Sequence, residues 1–344
     1  MAQKNQGDIK ALAFFGKVWY NELGFRRVAQ PGRALRSGRR GREFESHPSD
    51  QFERGAGMRQ ELVRINSVDG IEQPGILYRP NEDIDKIVIH VHGLNGNFYE
   101  NRFLDVLAKS YTDKSYAFLT FNNRGNGFIS ELLKGSDFTV IGGSLEKFKD
   151  CLLDIEGVIN WAKTKGYNKI ILEGHSYGCN KVLYYYSHKK DDIVKQIVLL
   201  APCDIPAETE KCLSREDYEK TRNEAIKLVQ ANRENELIDF SPMANGRIAA
   251  GTYYNDFLPN GENDFIRYAE GINAKSEVLN SIDIPTLVIF GDEDECVLTQ
   301  PVDVVQNYLK NNLSNCLIHV IKGANHLYVG KYRELSDVIK KNIA

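Results

Sequence analysis

No run of apolar residues in the 344-residue chain approaches the ~20 needed to cross a bilayer. The N-terminus lacks a charged-then-apolar leader followed by small residues, so secretion is not expected. Six cysteines (Cys151, Cys179, Cys203, Cys212, Cys296, Cys316) lie scattered, with no CxxC pair and no metal-finger spacing. That excludes a disulfide scaffold and points to a reduced, cytoplasmic protein. A formal net charge of −3 gives little reason for a nucleic-acid surface. No internal repeat or low-complexity segment interrupts residues 58–344. What remains is an ordinary globular composition, 42% hydrophobic and 26% charged, with length enough for one large domain carrying an insertion.

The first 57 residues differ from the rest. Residues 26–42 hold seven arginines and no acid, and the segment has few branched apolar residues in any periodic pattern, so disorder is expected there. Gly32-Arg33-Ala34 can be encoded by GGTAGAGC, and Glu43-Phe44-Glu45-Ser46 by GAGTTCGAATCC. These contain the D-loop and T-loop consensus sequences of a transfer-RNA gene. Arg54-Gly55, just ahead of Met58, has the coding potential of a ribosome-binding sequence. Residues 1–57 are therefore read as a spurious translated extension, with the domain beginning at Met58; the alternative is a genuine basic tail of the kind that meets nucleic acid or membranes. From there the balance is 33 basic against 41 acidic residues, so the domain itself is acidic.

Within the domain, short apolar runs at 86–93, 116–121, 169–174, 196–201, 286–291 and 317–321 are nearly continuous and rich in β-branched residues. Strands buried on both faces read this way. Residues 144–166 repeat apolar positions on one helical face: Leu145, Phe148, Leu152, Ile155, Val158, Ile159 and Ala162. The alternation predicts an α/β fold, a mostly parallel central sheet flanked by helices, with an antiparallel hairpin at its start. Between the fourth and fifth runs lie 84 residues, more than one crossover helix requires. This stretch predicts an inserted cap at about 204–282, helical at first and aromatic-rich over 252–271.

The chemistry concentrates where the third run ends, in Gly174-His175-Ser176-Tyr177-Gly178. A serine hydroxyl needs a base to remove its proton and must stand clear of its own backbone. A tight strand-to-helix turn provides the second, with small residues at ±2 so that chain segments can approach. A base and an orienting acid should follow in the order acid, histidine, and they do. "GDEDEC" ends the 286–291 run and "GANHLY" follows the last one. Asp294 is the expected acid, ahead of Asp292, Glu293 and the fallback Asp204, and His326 the expected base. The backbone N–H groups of Tyr177 and Leu94, the latter in "HVHGLNGN", are the expected oxyanion donors. His90 and His92 share one side of a strand, but no carboxylate motif accompanies them, so neither a metal nor any other cofactor is expected.

Taken with the "HG" turn at His92-Gly93 and "NNRGNG" at Asn122–Gly127, these motifs resemble the α/β-hydrolase superfamily over essentially all of 58–344, the cap matching least. Asn122 stands where that family has an aspartate, and Arg124 is read as a structural hydrogen-bonder. A narrower resemblance, to siderophore ester hydrolases, rests on the elbow and the Asn122 turn alone. The resemblance implies a serine hydrolase cleaving carboxylic esters through an acyl-enzyme, with a small-molecule ester substrate and neither a membrane nor a nucleic-acid partner. Oligomeric state stays open. Tyr253, Tyr254, Phe257, Phe265 and Tyr268 either line a substrate pocket under the cap or form the cap's own core. Two alternatives are an amide or peptide hydrolase of the prolyl-aminopeptidase kind, with Glu262, Asp264 or Glu270 anchoring the substrate amine, and a hydrolase-fold binding protein without activity. N-terminal sequencing of the native protein is expected to begin at Met58, and peptides from residues 1–57 would overturn that reading.

Overall fold

Each of the six apolar runs forms a strand, as expected of Val-, Ile- and Leu-rich text bounded by glycine, proline or charge. The computed structural model describes residues 58–240 and 246–343, and the expected extension at 1–57 lies outside the described residues. β1 (Met58–Asn66) and β2 (Glu72–Pro80) make the antiparallel hairpin. β3 (Lys86–Val91) leads through α1 (Phe103–Thr112) to β4 (Ala117–Phe121). A small hairpin, β5 (Ser130–Lys134) and β6 (Asp137–Ile141), comes before α2 (Cys151–Thr164) and β7 (Lys169–His175). α3 (Tyr177–Lys189) connects β7 to β8 (Val194–Leu200).

The interval before the next sheet strand holds α4 (Ile205–Cys212), α5 (Arg215–Gln230), a hairpin of β9 (Leu237–Phe240) and β10 (Gly246–Ala249), α6 (Ala250–Asp256) and α7 (Glu277–Asn280). β11 (Thr286–Gly291), α8 (Val302–Asn312), β12 (Cys316–Ile321) and α9 (Tyr332–Asn342) complete the order.

The central sheet has eight strands in the order β1-β2-β4-β3-β7-β8-β11-β12. Only β2 runs against the others, being antiparallel to both β1 and β4. Two cores cover the faces. One gathers α2, α3 and α8 with much of the cap, and the other holds α1 and α9. From β3 the chain moves outward to β4, then returns to the other side of β3 as β7. Loops leaving the carboxyl ends of β3 and β7 therefore diverge, which opens a crevice at that edge.

Two features depart from the sequence reading. The helix expected over 144–166 begins only at Cys151, after a 3-10 turn at Phe148–Asp150. Tertiary contacts hold the residues before it. Ala249 N–H donates to the Ser144 carbonyl at 2.8 Å, and Thr252 Oγ1 to the Glu146 carbonyl at 2.9 Å. The buried Glu146 carboxylate pairs with Lys181 Nζ at 2.7 Å. Helical periodicity loses here to a buried ion pair and to docking of the insertion. The β5–β6 hairpin was not expected; it reverses at Gly135, whose φ of 63° suits glycine.

Arg124 is structural, as its motif suggested. Buried, it reaches Asp154 at 2.9 Å, Asp69 at 2.8 Å and Asp150 at 3.1 Å. Asn122 holds the adjoining loop by accepting the Phe98 N–H at 2.9 Å, a hydrogen bond in place of a salt bridge.

Candidate active site

Ser176 stands alone between β7 and α3, with φ 55° and ψ −127°. A non-glycine residue held there costs about 1–3 kcal/mol, which the surroundings must supply. The Ser176 N–H donates to the Leu200 carbonyl and the Cys179 N–H to the Ser176 carbonyl, each at 2.8 Å. Crowding explains the two glycines. A Cβ on Gly174 would lie 2.4 Å from the Gly178 carbonyl oxygen, and one on Gly178 would lie 2.1 Å from that of Val91. The first turn of α3 thus presses on the end of β3, and any side chain at either position would force them apart.

The same crowding brings the loop after β3 to the serine. A Cβ on Gly93 would stand 3.0 Å from Ser176 Cβ. His92 fixes that loop. Its Nδ1–H donates to the Gly93 carbonyl at 2.8 Å, and its Nε2 accepts the Asn123 N–H at 3.2 Å, which sets the tautomer. Burial, then the charge of Lys181, pulls the His92 pKa down to about 3, so the ring is neutral. Among the described residues, the N–H groups of Leu94 and Tyr177 donate to no other group of the chain. Two unspent donors therefore flank Ser176.

The expected base and acid meet. His326 Nδ1 lies 3.0 Å from Asp294 Oδ1, and Asp294 is fully buried. The same oxygen accepts the N–H groups of Cys296 at 3.1 Å and Val297 at 3.0 Å, which orient the carboxylate. Burial pulls the His326 pKa down, but the charge and hydrogen bond of Asp294, aided by Glu208 and Glu295, push it up to about 9. His175, which the sequence reading passed over, joins the two halves of the site. Its Nε2–H donates to the His326 carbonyl at 3.0 Å, and the two rings lie 4.8 Å apart. Burial first and the charge of His326 second hold His175 well below its usual pKa, so it serves as a neutral brace. Ser176 Oγ is turned toward Cys203 Sγ at 4.0 Å and makes no hydrogen bond to the His326 ring among the described residues. A rotation about χ1 is the motion such a bond would need.

The remaining candidates fall elsewhere. Asp204, the fallback acid, caps α4 by accepting the Ala207 N–H at 3.3 Å and also takes the Ala269 N–H at 3.0 Å. Asp292 accepts the Gly323 N–H at 2.5 Å, a structural contact, and Glu293 is exposed. Tyr253, Phe257, Phe265 and Tyr268 are buried in the core shared with α3, where Tyr177 stacks on Phe257. Tyr253 stacks on Phe257, Phe265 packs against Phe148 and Tyr184, and Tyr268 against Tyr308, whereas Tyr254 is exposed. His90 pairs with Glu173 at 2.7 Å inside the sheet, apart from His92. Glu208, also unforeseen, lies on α4, and burial pushes its carboxyl up to about 7. A groove of about 560 Å³ lies away from Ser176, between Leu145, Lys147, Glu234 and Glu262.

An α/β sheet, a serine on a strained elbow and a buried acid–histidine pair define the class, and comparison with known proteins agrees. A family model of the alpha/beta hydrolase fold matches residues 86–327, and the chain belongs to that family. Comparison with curated proteins finds no match. Among solved structures, the chain is similar to Est1E from Butyrivibrio proteoclasticus with ferulic acid bound, at 20% identity and a TM-score of 0.56, covering 81% of this chain and 96% of that one. It is similar as well to the alpha/beta hydrolase GrgF from Penicillium sp. sh18, at 15% identity and a TM-score of 0.57, covering 83% and 99%. An alpha-beta serine hydrolase homologue from Coxiella burnetii matches at 18% identity and a TM-score of 0.50, covering 83% and 97%. At these identities the likenesses establish the fold. No helix among the described residues is long and apolar enough to cross a membrane.

The pair geometry sets a test independent of activity. In an NMR titration the His326 ring is expected to change charge well above its usual pKa of 6.5, toward about 9. Asp294→Asn should bring that midpoint down, because the opposing charge is gone. An unshifted wild-type midpoint would contradict the pairing.

Proposed function

We propose that the protein is a serine hydrolase that cleaves carboxylic esters through an acyl-enzyme. The observation that carries this reading is the conjunction of Ser176 on its strained elbow with the buried Asp294–His326 pair, joined through His175. In this reading Ser176 Oγ turns from Cys203 toward His326 and loses its proton to the imidazole as it attacks the ester carbonyl. The carbonyl oxygen becomes an oxyanion between the N–H groups of Leu94 and Tyr177, and one such donor is worth roughly 3–4 kcal/mol of barrier. Asp294 holds the imidazolium, which then protonates the departing alkoxide. Water repeats the sequence to release the acid.

Esters are favoured over amides by the state of the cap's acids. An aminopeptidase needs a free acidic anchor for the substrate amine. Glu262 pairs with Lys149, and Asp264 and Glu270 both pair with Arg267. None of the three is left to receive an amine. Aryl and alkyl esters, including hydroxycinnamate esters of the kind suggested by the ferulic acid held in the solved neighbour, make a suitable first panel.

Hydrolysis of p-nitrophenyl butyrate should fall by about a millionfold in Ser176→Ala, to the level left by losing a triad serine in a comparable enzyme. Because only neutral His326 acts as the base, wild-type kcat/KM should still be rising above neutral pH and level off near the His326 pKa of about 9. Aminoacyl anilides should be cleaved far more slowly than the ester. Activity retained in Ser176→Ala would exclude the mechanism.

A further inference from the structure

Around the acid–histidine pair sit more acids and a thiol than a proton relay uses. One ligand-capable atom from each of Asp294, Cys296 and His326 lies within 4.8 Å of the other two. Asp294 is fully buried, yet its Oδ2 has no hydrogen-bond partner in the described structure, an orphaned carboxylate oxygen that invites a cation.

We propose that Asp294, Cys296 and His326 form a binding site for a zinc-like divalent cation that shuts the hydrolase off. One nitrogen, one sulfur and carboxylate oxygens are a donor set suited to four-coordinate zinc or cobalt. Bonds of about 2.0–2.3 Å would bring ligand atoms to about 3.3–3.8 Å from one another, a contraction within side-chain rotation from the present spread. The side chain of His326 is 12% exposed, which gives an aqueous cation its way in. On binding, the cation gains metal–oxygen, metal–sulfur and metal–nitrogen bonds. The proton shared between His326 and Asp294 and the Cys296 thiol proton leave to solvent, and no electron is transferred. His326 can then no longer accept a proton from Ser176. The cation is an inhibitor in this scheme and takes no part in the reaction. The inhibitory half rests on the triad proposed above, whereas the binding half does not.

Cobalt(II) added to the chelator-treated full chain is the first probe. At one equivalent it is expected to give an intense thiolate-to-cobalt absorption band that zinc displaces and Cys296→Ser abolishes. No such band, or one that survives in Cys296→Ser, would overturn the site even if the protein proves inactive on esters. Should that variant fail to fold, X-ray absorption at the zinc edge of the wild-type complex decides. One sulfur at about 2.3 Å with nitrogen and oxygen at about 2.0–2.2 Å supports the site, and a shell of nitrogen and oxygen alone overturns it. In the activity arm, zinc should suppress p-nitrophenyl butyrate hydrolysis, and Cys296→Ser should raise the half-inhibiting concentration at least about tenfold, as expected for losing a direct ligand. Stoichiometric binding with undiminished hydrolysis would overturn the inhibitory role.

Discussion

The contact on which the site depends is between backbones, where the first turn of α3 meets the end of β3. Gly178 has no room for a methyl against the Val91 carbonyl, nor Gly174 against Gly178. With the helix pressed so close, the residue between the glycines must cross from strand to helix in a single step, and Ser176 takes the left-handed conformation that allows it. The same closeness sets Gly93 against the serine and carries Leu94 with it. The elbow and the loop after β3 are therefore one geometric solution. The sheet order makes it available, because β3 and β7 are neighbours whose loops leave in different directions.

Buried polar groups then lock each part in place. His92 ties the β3 loop to Asn123, and Lys181 on α3 reaches both Asn123 and Glu146. Tyr177, next to the serine, donates its hydroxyl to Asp256 in the insertion at 2.8 Å, so the insertion is tied to the elbow by a buried hydrogen bond. His175 does the same for the loop bearing His326. Buried polar groups are costly unless partnered, so each of these bonds penalises the alternative loop arrangements that would break it.

Much of this was legible in the chain itself. The β-branched runs fix six sheet strands because a parallel sheet buries both faces and tolerates little else. Gly-x-Ser-x-Gly announces the elbow because the steric demand falls on those two positions alone. Asp294 and His326 were placed in the loops after two apolar strands, and the fold brings those loops together. Three things were not legible. The start of α2 was hidden because Glu146, lying inside the periodic stretch, is claimed by Lys181 from 35 residues away. The cap aromatics gave no sign whether they face a ligand or one another, since either use asks for the same side chains. His175, Cys203 and Glu208 carry no spacing signature, and only the folded chain brings them to the site.

Covalent capture tests the central claim most directly. A fluorophosphonate should phosphonylate one residue of the native protein, and peptide mass spectrometry should locate it on Ser176, the hydroxyl held on the strained elbow that the proposed reaction turns toward His326. Labelling should be lost on unfolding and in His326→Ala, where the hydroxyl persists but its base does not. A native protein that resists the reagent, or one labelled on another residue such as Cys203, would contradict the account.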